Sequence, residues 1–187
     1  MKAALAALVL LAGVAACSGE VNDTPTPAAG QVTLPAAQAL LTADDLAAVG
    51  ADVGGLDVSA SDRRADAEAV NPALVTEIES WYAIAFQHGS AGPALFFSII
   101  DFSSASAAQS HMDLVESGRG YSPISPPIGD RATLATPFEA GIGSALVFAL
   151  ADRVVLLHTT LGDANDALVD PEQMTELAET VADRLEP

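Results

Sequence analysis

The chain has 187 residues, half of them hydrophobic, with 25 acidic residues against 7 basic ones and a net charge of −18. That length allows one domain with a core of its own, and the acidity excludes a surface that grips nucleic-acid phosphates. A single cysteine excludes an internal disulfide framework and any multi-cysteine zinc or iron–sulfur centre.

The first residues are Met1-Lys2, followed by an almost pure Ala, Leu and Val run that ends at Cys17. Lys2 supplies a positive n-region. The apolar run falls short of the ~20 residues that span a bilayer, so it reads as a signal peptide, not an anchor helix. The stretch closes on Val14-Ala15-Ala16-Cys17. This resembles the lipobox of bacterial lipoproteins, in which an aliphatic and two small residues precede a cysteine that is acylated and becomes residue one. The resemblance implies a leader over residues 1–16, lipidation at Cys17, and a protein held at the cell envelope, facing the periplasm or the exterior. Cleavage there removes the only lysine and leaves arginines as the sole permanent cations. An acidic body is repelled by anionic headgroups, so it should hang from its lipid and not lie flat.

Residues 17–36 carry prolines and glycines without an apolar period, and read as lipidated cysteine plus flexible linker. The folded domain is then expected over residues 37–187. Thr42 can cap a short helix with Asp44 and Asp45 in its first turn and Gly50 at its end. Residues 51–72 read as an irregular loop, with Arg63 and Arg64 neutralised locally by Asp62, Asp66 and Glu68. Ile78, Tyr82, Ile84 and Phe86 fall at period two, which is a half-buried strand. After a turn-rich segment, Ala94–Phe102 is a continuous apolar run that predicts a central strand paired to it as a hairpin. Ser103 or Ser104 caps a helix to about Ser117. A proline-rich loop over 118–131 leads to strands at 132–136, 144–150 and 154–160. In the last helix Asp170 is the cap and Pro171 the first residue, and Met174, Leu177, Ala178, Val181 and Leu185 follow the helical period.

The element order α-β-β-α-β-β-β-α predicts an α+β fold: a single antiparallel sheet of about five strands with two or three helices packed on one face. The layout resembles small extracytoplasmic lipoproteins and sensor-type domains of high-GC bacteria, through Leu41-Thr42-Ala43-Asp44-Asp45-Leu46 and the Gly129-Asp130 step. That resemblance bears on fold alone.

No Gly-x-Ser-x-Gly elbow, no His-Glu-x-x-His pair and no phosphate cradle occurs. His88, His111 and His158 lie in three different elements and read as surface or half-buried histidines. The acidic turn at 162–166 fails the calcium-loop pattern, because Leu168 and Met174 stand where glycine and glutamate are required. No metal and no cofactor is expected. The leading reading is a non-catalytic lipoprotein that touches the membrane through its lipid and presents a binding or accessory domain to an envelope protein. A carrier of an apolar ligand such as a lipid, with a cavity lined by Phe96, Ile99 and Phe148, is the alternative. A hydrolase with dispersed catalytic residues is the third reading. A partner contact is expected in the loop 118–131, through Arg119, Tyr121 and Arg131, since arginine and tyrosine dominate interface hot spots.

Overall fold

A computed structural model describes residues 32–70, 72–73, 75–118, 120–136, 142–163 and 165–186. Cys17 and the leader lie outside the described residues. The chain folds as α1 (Leu34–Leu40), α2 (Ala43–Ala48), β1 (Asp57–Asp62), a 3₁₀ turn (Arg64–Asp66), α3 (Ala67–Val70), β2 (Ile78–Gln87), β3 (Ala94–Phe102), α4 (Ala105–Glu116), β4 (Tyr121–Pro123), β5 (Arg131–Ala135), β6 (Ile142–Leu150), β7 (Arg153–Thr160) and α5 (Pro171–Leu185). The strands form one antiparallel sheet in the order β1-β2-β3-β7-β6-β5-β4. The α+β class and the single antiparallel sheet are as expected.

The sheet has seven strands, not five. The two additions are its edges. β1 lies inside the segment expected to be a loop, because Asp-Val-Ser-Ala-Ser-Asp has no apolar alternation to announce it. β4 is three residues long and ends in Pro123. Both are exposed or half-buried strands that need little apolar character.

The ordered body also begins earlier than Ala37. Thr33 caps α1 with its hydroxyl on the Ala36 amide, and Pro35 occupies the first turn, where its missing N–H costs nothing. Val32 is buried, and its N–H donates to Asp101 at 3.0 Å. That carboxylate, 3% exposed, also accepts from the Ser80 hydroxyl at 2.6 Å and from Arg153 Nε at 3.0 Å. Residues 32–36, assigned to the linker by composition, therefore belong to the body.

The helices do not share one face. Alternate residues of a strand point to opposite sides, and the core divides along that parity. Ile99, Leu146, Phe148 and Leu157 pack with Leu40, Leu46, Leu177 and Val181, so α1, α2 and α5 cover one side. Ile100, Phe102, Val147 and Val154 pack with Ala107, Ala108 and Met112 of α4 on the other. The physical reason is legible in β3 and β6, which are apolar at nearly every position, as strands covered on both faces are.

Capping follows the sequence closely. Thr42 and Asp45 form a reciprocal capping box on α2, and Asp170 and Gln173 do the same on α5. Arg184 of α5 reaches back to Asp45 through two 2.7 Å contacts and to the Leu40 carbonyl, tying the helices of one layer together. Gly129 has a φ of +61°, and a Cβ there would meet the Ala149 carbonyl oxygen at 2.5 Å. The next residue, Asp130, accepts the Ala151 amide in the β6–β7 turn at 2.7 Å. At the far end of that hairpin the register is interrupted between Ile142 and Ala145. There the Ser144 amide donates to the buried Thr159 hydroxyl at 3.0 Å, and a Cβ on Gly143 would lie 2.1 Å from that hydroxyl.

Candidate functional site

The loop expected to carry a partner contact lies at the β4 edge of the sheet. Ile128 is buried and Ile124 half-buried against the core, so the connector is pinned at two points. Tyr121 opens β4 half-buried beside α4 and the Gly118 turn, and burial raises its hydroxyl pKa. Arg131 opens β5 and turns its guanidinium onto α4. It donates to Glu116 through Nε at 2.8 Å and Nη2 at 2.5 Å, and to Asp113 through Nη1 at 2.8 Å. Those two carboxylates push its pKa further above its already high value. The structure thus brings Tyr121 and Arg131 to the same side of the sheet, where Arg131 joins β5 to α4 within the chain. Arg119 lies outside the described residues.

The histidines are not brought together. His88 Nε2 is 2.8 Å from the Asp52 carbonyl oxygen. His111 stands on α4 with its ring tilted against Phe102 at 5.4 Å, and burial lowers its pKa. His158 stacks on Phe96, centroids 4.7 Å apart and planes within 11°, with Nδ1 buried and unpaired. Desolvation lowers its pKa to about 4, so the ring is neutral at physiological pH. Among the described residues, neither His88 nor His158 bonds a serine hydroxyl or a carboxylate, the arrangement a hydrolase would need. Asp170, which follows the acidic turn at 162–166, is committed to capping α5. Among the described residues no cluster of three or more histidines, cysteines or acids could hold a metal.

The lining imagined for an apolar cavity also separates. Ile99 and Phe148 are fully buried on the α5 side of the sheet. Phe96 is one residue out of phase with Leu95 and Phe97, and its side chain lies on the α4 side with His158. The three residues do not line one space.

Sequence reading passed over the opposite edge. β1 pairs with β2 in unbroken register from Asp57↔Gln87 to Asp62↔Tyr82, and its other side carries no backbone bond among the described residues. Val58 there is 52% exposed. The available signal was a short β-prone run bracketed by two aspartates. For Phe96 and His158 there was none, since cross-strand pairing cannot be read from a single sequence.

No protein-family model matches the chain, and no curated protein matches it. Among solved structures it is similar to the extracellular domain of PknH from Mycobacterium tuberculosis, with 14% identity and a TM-score of 0.56. The match covers 82% of this chain and 96% of that one. At this identity the likeness is one of fold: the two share an α+β architecture over nearly the whole of the described body. Among the described residues no helix is long and apolar enough to cross a membrane.

Proposed function

We propose that this protein is an extracytoplasmic lipoprotein of non-catalytic type, acylated at Cys17, whose α+β body is a binding or accessory domain for an envelope partner. The observation that carries the reading is Val14-Ala15-Ala16-Cys17 at the end of a short apolar leader. The fold shared with an extracellular domain supports the compartment. A tether over residues 18–31, between the lipidated cysteine and α1, would reach up to about 45 Å if extended. A contact through the loop at the β4 edge would use Arg119, Tyr121 and Arg131, whose guanidinium also holds the loop to α4.

Mass spectrometry of the protein from its native host tests the anchor. The expected N-terminus is Cys17 with a diacylglyceryl adduct, and Cys17→Ala should release the protein from membranes or leave it unprocessed. An unacylated mature N-terminus in the wild type would refute the reading. For the loop, recovery of partners from native envelope by wild type and by the Arg119→Ala, Tyr121→Ala double variant decides. Equal recovery of the same partners places the contact elsewhere.

A further inference from the structure

The two edges of the sheet are managed differently. β4 is three residues long, ends in proline and is backed by a pinned loop, which are standard ways of blunting an edge. β1 has six residues, no proline, no lysine and no irregularity in its pairing with β2. Its outward side is without a backbone partner among the described residues, and nearly every side chain on it is exposed. Val58 is one of two large hydrophobic residues exposed among the described residues. It stands on the α1 side of the sheet, where Leu56 and Ala60 are already partly buried against the core. An added strand would extend the apolar surface that covers Val58.

We infer that the free edge of β1 docks an extended segment of a partner protein, with basic residues at both ends and neutral β-prone residues between them, as an eighth strand. Charge selects this occupant over the others. Asp57 and Asp62 bracket the neutral run Val58-Ser59-Ala60-Ser61. In a two-fold antiparallel pairing of two copies, Asp57 of each would oppose Asp62 of the other, and directly opposed like charges destabilise a ladder. The chain's own residues 18–31 carry Glu20, Asp23, Pro25 and Pro27, which bring more negative charge and remove ladder donors. A segment with lysine or arginine opposite both aspartates meets complementary charge, and the acidic body steers it in. The bracket that prevents self-association is the one that selects the partner. Main-chain bonds supply affinity in this recognition mode, and alternate side chains supply specificity.

The inference takes its partner class from the binding-module reading, but its test needs no anchor, so the two can fail separately. The ¹⁵N-labelled chain from residue 17 onward, carrying Cys17→Ser, is titrated with three end-blocked synthetic peptides. These are Lys-Thr-Val-Thr-Val-Lys, the same peptide with glutamate for both lysines, and the lysine peptide with proline for its central valine. The lysine peptide should shift β1 amides saturably, with a dissociation constant of about 1 mM or below, and slow hydrogen exchange at the β1 amides that point outward. The glutamate peptide should bind at least about tenfold more weakly, and the proline peptide should not protect the edge. Asp57→Lys with Asp62→Lys, both at exposed positions, should reverse the preference between the first two peptides. The inference is overturned by shifts scattered over the acidic surface without β1 protection, by no shift at several millimolar peptide, or by an unchanged preference in the double variant. Concentration-dependent broadening confined to β1 without peptide would overturn it in favour of a second copy.

Discussion

Asp101→Ala removes the acceptor that ties Val32, Ser80 of β2 and Arg153 of β7 to β3. Hydrogen bonds to charged groups are worth about 1.5–3 kcal/mol each, and three are lost: to Val32 N–H, the Ser80 hydroxyl and Arg153 Nε. Against that, the variant no longer buries a carboxylate, which recovers several kcal/mol of desolvation. The Arg153 side chain is 24% exposed, so it is not left as a stranded buried cation. The net expected loss is ~3 kcal/mol. In a chain of this size that corresponds to a fall in Tm of ~6–12 °C. Asp101→Asn separates the contributions. Its remaining oxygen can still accept from Val32 and Ser80, while its amide nitrogen faces the Arg153 donor, so about half the loss is expected. Urea unfolding of both variants, with an unchanged m-value, measures this. A loss under ~1 kcal/mol for alanine, or an asparagine as damaging as alanine, would refute the account of this carboxylate.

Leu177 is fully buried beneath α5, and Leu177→Ala should cost about 2–5 kcal/mol by denaturant titration; a change under half a kcal/mol would make α5 peripheral. A chain beginning at Val32 should melt with the full soluble chain, whereas one beginning at Ala37 loses the Thr33 cap and the buried Val32 and should melt several degrees lower. His158 has a folded pKa of about 4 against about 6.5 unfolded, so the unfolded chain binds the extra proton between those values. Stability should therefore fall as pH drops from about 6.5 to about 4, by up to ~3 kcal/mol, and His158→Phe should flatten that slope in a pH series of melts.

Much of the fold was legible because local chemistry and tertiary packing agree. The Thr42 and Asp170 caps, the period-two run from Ile78 to Phe86 and the helical period from Met174 to Val181 each pointed to the element that formed. α1 is hard to read because Thr33 followed by Pro35 is a helix start as much as a linker signature. β1 was missed because an edge strand needs no buried face. The placement of α4 opposite α5 was written in the doubly apolar strands β3 and β6, though period alone cannot say which helix covers which side. The site was hardly legible. A rich loop composition at 118–131 signalled contacts, but single-sequence chemistry cannot tell an arginine that meets a partner from one that meets Glu116.

The Thr159–Ser144 contact beside Gly143 bears on how the chain finds its alignment at all. In most half-exposed sheets, sliding a strand by one residue throws its apolar side chains into water, and that penalty alone enforces correct pairing. β6 and β7 have little such protection, since Ala145-Leu146-Val147-Phe148-Ala149 would present grease to both sides in either frame. What discriminates is polar: a slipped frame leaves the Thr159 hydroxyl and the Ser144 amide buried without each other, and drives a Cβ toward the space that Gly143 leaves open. Thr159 is thus a key for uniqueness more than a source of strength. Thr159→Val should leave the melting temperature within a few degrees of wild type yet split the β6 and β7 amide resonances into more than one set; a single sharp set would show that the hairpin turn at Ala151-Asp152 sets the frame by itself.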